Sequence, residues 1–248
     1  MADVLGYRGQ KAVADAVAEN SDYRIIGGHM IRLLLHTYPT AAAIPRSTVD
    51  ADAALDSLEV VGSLTQNLLA QGFTKHGGNL FYREMTPDRR IEINVLAPRT
   101  GTSRGIKPQT VAGVGQVDTL PELSFALQHP AIVLDVEADL GGGETITYQT
   151  RVPTVEAAVV LKAHGWRGRS SVKDIADLHT LLEIREAHPD ISWRLHEDDP
   201  IGFRKDTVKI LQQLRNTIVR KRPPFTVPVT LDKLRFAGLI TRHIAQLT

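Results

Sequence analysis

Apolar positions recur along the chain in two periods, and the switch between them lays out the elements. Ala12, Val13, Ala16 and Val17 stand at helical spacing and predict a first amphipathic helix between Gly9 and Asn20. Tyr23-Arg24-Ile25-Ile26 reads as a buried strand. After Gly27-Gly28, the run Met30, Ile31, Leu33, Leu34, Leu35 predicts a buried helix that Pro39 ends. Thr40 to Pro45 is a small-residue loop into a short extended segment, Arg46 to Asp52. Leu58, Val61, Leu64, Leu68 and Leu69 mark a second amphipathic helix from Ser57 to Gln71, stopped by Gly72. A hairpin follows, with strands Phe73 to Glu84 and Arg89 to Leu96 about the turn pair Pro87-Asp88. In its second strand Ile91, Ile93 and Val95 alternate with Glu92 and Asn94.

Arg99 to Gln116 carries few large apolar residues and reads as a long basic loop, a kind of segment that compact domains keep chiefly for function. Ala131 to Val136 and Thr145 to Thr150, on either side of Gly141-Gly142-Gly143, predict two strands that extend or flank the sheet. From Val152 onward the pattern is helical. Pro153 ends the last strand, and Val155 to Ala163 forms a short apolar helix broken at Gly165. Ser171 caps the next helix, with Asp174 placed as the acidic partner of a capping box and Ile175, Leu178, Leu181 and Leu182 inward. Thr207 to Arg222 is amphipathic, and Thr230 to Leu247 forms a last helix with Leu234, Leu239 and Ile244 inward. The charged run His196 to Pro200 is a solvated turn. These elements predict an α/β fold in two parts, a mixed sheet with flanking helices over residues 1–150 and a mainly helical region over 151–248.

Composition narrows the classes. The 248 residues include no cysteine, which excludes disulfides, thiolate zinc sites, iron–sulfur clusters and cysteine nucleophiles. Hydrophobic residues make up 42% and charged residues 23%, the balance of a globular chain able to bury a substantial core. No apolar run approaches membrane-spanning length and no secretory pattern opens the chain, so the expected location is cytoplasmic. A net charge of +1 is no nucleic-acid signature in itself, although a balanced total is compatible with a local basic surface.

Candidate chemistry concentrates in two places. Alternate residues of an extended segment share a face, so Thr48, Asp50 and Asp52 project side by side, and two such carboxylates suit Mg²⁺, a hard ion that takes oxygen ligands. Gly27 and Gly28 lack Cβ atoms, which lets backbone approach a triphosphate, and a helix beginning there aims its free N–H groups at the anion. Arg46 is placed to reach a phosphate or to stand exposed at the strand start. Glu92 and Asn94 form the polar face of the second hairpin strand. The second place is helical. There Lys162 reads by position as a cation favoured at a helix C-terminus, and Asp177 as the partner of Lys173 in an i,i+4 pair worth about 0.2–0.5 kcal/mol.

The order Gly-Gly, helix, Asp-x-Asp resembles the nucleotidyltransferases of the DNA polymerase β superfamily. Together with Lys162, the basic residues up to Arg169, and Lys173-Asp174-Ile175-Ala176-Asp177-Leu178, the chain looks like the AbiEii-type toxins, including the MenT group. The resemblance implies a polymerase β-like mixed sheet whose helical C-terminal part completes the site. It implies Mg²⁺, with Mn²⁺ as the substitute, held by Asp50 and Asp52; NTP bound by Gly27, Gly28, Arg46, Thr48 and Lys162; Asp177 beside the acceptor or metal; and, where the family has a third carboxylate on the strand next to Asp-x-Asp, Glu92 followed by Asn94, with Glu92 either at the metal site or a neighbour of it. It further implies a toxin of a toxin–antitoxin or phage-defence system, with a cognate antitoxin as partner, that transfers NMP to RNA, expected to be the tRNA 3′ end. Arg99, Arg104, Lys107, Arg167, Arg169 and Arg220 to Arg222 are the basic positions compatible with RNA phosphate contact. Transfer to a protein or small molecule, or a non-catalytic binding subunit on the same fold, are the rival expectations.

Overall fold

The computed structural model describes residues 2–18, 21–43, 46–77, 79–101 and 105–247. The chain falls into two compact units, residues 1–30 with 46–154, and residues 31–45 with 155–248.

The first unit is built on a mixed sheet. Helix α1 (Ala2–Ala16) precedes β1 (Tyr23–Ile26), whose four residues are all buried, and α2 (Gly27–Thr37) starts directly from the strand end. Then come β2 (Ala51–Leu55), α3 (Leu58–Ala70), β3 (Thr74–His76), β4 (Leu80–Thr86), β5 (Arg89–Pro98), β6 (Lys107–Val111) and β7 (Gly115–Leu120). The strands lie in the order β1-β2-β5-β4-β3, with β7 joining the end of β5 and β6 pairing β7. β2 and β5 run parallel, as do β5 and β7, and the remaining pairs are antiparallel. Alternation divides the faces: Ile91, Ile93 and Val95 are fully buried, and α1 and α3 pack against this part of the unit, whereas Glu92 and Asn94 between them are only half-buried. Each such buried aliphatic contributes on the order of 1.5–3 kcal/mol. Helix α4 (Glu122–Gln128) follows, and β8 (Ile132–Gly141) and β9 (Glu144–Val152) form a separate antiparallel hairpin in contact with α1.

Helices make up the second unit: the part of α2 from Ile31 onward, α5 (Val155–Arg169), α6 (Val172–Ala187), α7 (Gly202–Ile218) and α8 (Lys233–His243). Leu178, Leu181, Leu182, Val208, Leu211, Leu214, Phe236 and Ile240 form its core. Ser171 caps α6 by accepting from the Lys173 amide, and Asp232 caps α8 by accepting from the Leu234 and Arg235 amides. Charges join α6 to α8. Glu183 accepts two bonds from Arg235, at 2.8 and 2.7 Å, and lies 3.2 Å from His179, while Glu186 holds Arg242 and His243.

Several elements depart from the sequence expectation. The segment read as a long basic loop contains β6, the turn that follows and the start of β7; β6 is largely exposed, so its residues show no apolar alternation to read. Phe73 to Glu84 is two strands rather than one, because the chain turns at Gly77, whose φ is +71°. α4 was not foreseen. α5 runs through Gly165 to Arg169, since a glycine inside a packed helix weakens it by only about 1 kcal/mol relative to alanine. Leu234, expected inward, is 76% exposed, and Phe236 fills the core instead. The Asn20 end of the first predicted helix and Pro45 lie outside the described residues.

Candidate active site

Strand pairing decides what surrounds Asp52. On one side β1 runs antiparallel with Ile26 opposite Asp52, so Gly27, the next residue, turns beside the carboxylate. Its φ is +71°, and a Cβ built there would lie 2.0 Å from Asp52 Oδ2. Gly28 begins the ascent of α2 against the segment before β2: a Cβ on it would stand 2.8 Å from both Thr48 Oγ1 and Arg46 Nη2. Both glycines are therefore required by close approach, and at Gly27 also by the left-handed backbone. Thr48 is buried, and its hydroxyl donates to Asp50 Oδ1 at 3.2 Å; Asp50 itself is exposed and precedes the strand, which starts at Ala51.

The six positions Gly27, Gly28, Arg46, Thr48, Asp50 and Asp52 thus gather at the N-terminal end of α2 within the first unit. The first-turn amides of a helix and a guanidinium are groups that can donate to an anion, and two carboxylates are groups whose oxygens can bind a cation. The donor set fits Mg²⁺, which takes one or two protein carboxylates and completes its shell with water and substrate phosphate. Among the described residues no group of three or more His, Cys, Asp and Glu is placed to hold a metal, so the fit is to this sparse kind of site and not to an all-protein cage.

On the other side of Asp52 runs β5, with Asn94 directly opposite in the parallel register. Asn94 Nδ2 donates to Asp52 Oδ1 at 3.2 Å, and Asn94 Oδ1 accepts from Asn79 Nδ2 at 2.5 Å. Glu92 is set two residues back, opposite Tyr82, and pairs with Arg90 at 3.6 Å. Asn79 was missed from the sequence, since its turn lay inside a segment read as one strand.

Lys162 and Asp177 lie in the second unit. Lys162 Nζ is 2.6 Å from Asp177 Oδ2 and 3.9 Å from Asp174 Oδ1, with all three side chains buried. Asp177 is therefore the partner of Lys162 on the neighbouring helix and not of Lys173. Asp174 does not act as a capping-box acid: both of its oxygens accept from Arg169, each at 2.7 Å. Of the other basic candidates, Arg99 is 7% exposed and donates to the carbonyl of Gly105, which makes it a structural residue of the β6–β7 region. Arg167 donates to His164 Nδ1 at 3.0 Å. Lys107 and Arg220 to Arg222 are exposed, and Arg104 lies outside the described residues.

No family model matches the chain and no curated protein does. Among solved structures, it is similar to the solution structure of the antibiotic-resistance factor ANT(2'')-Ia, at a TM-score of 0.40 and 15% identity, over 75% of this chain and 89% of that one. No helix among the described residues is long and apolar enough to cross a membrane.

Proposed function

We propose that the protein is a Mg²⁺-dependent nucleotidyltransferase, and that it acts as a toxin of a toxin–antitoxin or phage-defence system by transferring NMP from NTP to an RNA acceptor, the tRNA 3′ end. The observation that carries the reading is the packing of Gly27 onto Asp52 and of Gly28 onto Thr48 and Arg46, which brings a helix N-terminus and two carboxylates to one place. Asp50 and Asp52 hold the cation, with Mn²⁺ as its substitute, and the Thr48 hydroxyl orients Asp50. A metal bound there supplies charge neutralisation at the α-phosphorus and a template for the triphosphate. The Gly28 end of α2 and the Arg46 guanidinium bind phosphate oxygens. Positioning and preorganised charge account for most of the acceleration in such transfers, so the site requires no unusual acid or base.

The RNA acceptor is supported by the exposed cations Lys107 and Arg220 to Arg222 and by the motif order; a cognate antitoxin protein is the expected partner. The test is incubation of the chain with each labelled NTP and Mg²⁺, with total tRNA, with cell protein and with aminoglycoside. Label on tRNA that blocks aminoacylation supports the full reading. Label on protein or antibiotic alone removes the RNA acceptor and leaves the nucleotidyltransferase assignment standing. No transfer to any acceptor from any NTP removes the nucleotidyltransferase assignment.

A further inference from the structure

We propose that Asn79 and Asn94 form a relay that positions the Asp52 carboxylate, Asn79 fixing the orientation of the Asn94 amide and Asn94 fixing Oδ1 of Asp52. The role given to Asp52 rests on the nucleotidyltransferase reading above; the relay itself rests on geometry. An ionised carboxylate only accepts hydrogen bonds, so the end of Asn94 that lies 3.2 Å from Asp52 Oδ1 is its NH₂ group. Its other end is then the carbonyl oxygen, which needs a donor. Asn79 supplies one through Nδ2 at 2.5 Å. Reversing the Asn94 amide would set oxygen against oxygen at Asp52 and nitrogen against nitrogen at Asn79, so the chain of bonds has one sense.

The backbone holds both members in place. Asn94 is opposite Asp52 in the β2–β5 pair and opposite Leu80 in the β4–β5 pair, and the Val95 amide donates to the Asn79 carbonyl at 2.8 Å. The β3–β4 turn is thereby fastened to β5 one residue beyond Asn94. The donor side of Asn94 faces the carboxylate and its oxygen accepts from Asn79 on the other side, so Asn94 acts on Asp52 as a positioning residue. Partners that orient a metal-binding group in this way typically change metal affinity or activity by about 10–100-fold when removed.

The experiment uses the full chain and Mn²⁺ alone, with free Mn²⁺ followed by electron paramagnetic resonance. Asn94→Ala is expected to weaken Mn²⁺ binding by about 10–100-fold, and Asn79→Ala by less than tenfold in the same direction. Asn79→Asp, which removes the donor and sets an acceptor against Asn94 Oδ1, is expected to match Asn94→Ala. Both asparagines are half-buried polar residues, and unchanged far-UV circular dichroism identifies the folded variants. A second reading needs no metal: the side-chain amide signals of Asn94, assigned by their loss in Asn94→Ala, are expected to shift in both Asn79→Ala and Asp52→Ala. Amide signals indifferent to Asp52→Ala, or wild-type Mn²⁺ affinity in a folded Asn94→Ala where Asp52→Ala abolishes binding, overturn the relay. Shifted amide signals with Mn²⁺ binding indifferent to Asp52→Ala support the relay and overturn the metal role of Asp52.

Discussion

Lys162 and Asp177 form a buried pair in the second unit, and a pair of apolar substitutions separates its contribution to folding from the role in nucleotidyl transfer expected from the sequence. Their side chains are 6% and 1% exposed and meet at 2.6 Å. Removing one partner of a buried pair typically destabilises by about 3–5 kcal/mol, far more than the fraction of a kcal/mol that an exposed helical pair contributes. Asp174 stays bound to Arg169 in a Lys162→Met variant, which places the expected loss near the lower end, about 3 kcal/mol. Both tryptophans, Trp166 and Trp193, belong to the second unit, so their fluorescence in urea follows the part of the chain that holds the pair. For an m-value of about 2 kcal/mol per M, the midpoint falls by roughly 1.5 M.

The double variant Lys162→Met/Asp177→Leu replaces the pair with apolar side chains and is expected to return the stability to within about 1 kcal/mol of wild type, because exchanging a whole buried pair for apolar residues is often neutral or better. If the pair also serves nucleotidyl transfer, the restored double variant stays inactive. Activity that returns together with stability assigns both residues to folding alone. The energetic reasoning is refuted by a Lys162→Met chain that unfolds at the wild-type urea concentration, or whose loss vanishes in high salt, since buried pairs are little screened.

Gly28→Ala is expected to lower NTP transfer at least tenfold, because its Cβ would lie 2.9 Å from Thr48 Cβ, which cannot swing aside; Gly62→Ala in α3, where a Cβ meets nothing within 4 Å, should instead stabilise the first unit by about 1 kcal/mol, with both read by activity and by urea unfolding followed through far-UV circular dichroism. Asp52→Asn keeps the side-chain shape and removes its charge, so transfer should fail in Mg²⁺ with a stability within about 0.5 kcal/mol of wild type, and full activity would sink the metal role. For pH, burial holds His179 and His243 below the ordinary histidine value of 6.5, and the bonds from Arg235 hold Glu183 below the ordinary carboxylate value of 4.5. The unfolded chain thus takes up protons first: stability of the second unit is complete above pH 6.5, declines below it as the histidines charge, and falls again below pH 4.5, and a tryptophan-monitored midpoint flat from pH 7.5 to 4 would contradict this.

What the sequence disclosed and what it concealed follow from the range of the interactions involved. The Gly27-Gly28 turn and the strand that carries Asp52 were legible because each is a local device, a strand end with a glycine pair and a short extended segment, whereas Asp50, expected on the same strand, lies just before it. The pairing of Ile26 with Asp52 adds the contact between them, and β1 and β2 are near enough in the chain for the motif order to suggest it. Lys162 and Asp177 were singled out, yet their partnership was not, because local reasoning offers Asp177 the nearest i,i+4 cation, Lys173, while the structure places the more distant Lys162 at 2.6 Å on a neighbouring helix. Asn79 shows the same limit more sharply. An asparagine in a turn is unremarkable in sequence, and its bond to Asn94 exists only because β3 and β4 fold back and Val95 fastens their turn to β5. The residues that would hold a metal were thus visible in the chain, whereas those that would orient them depend on sheet register, which arises from the pairing of whole strands and not from any one of them.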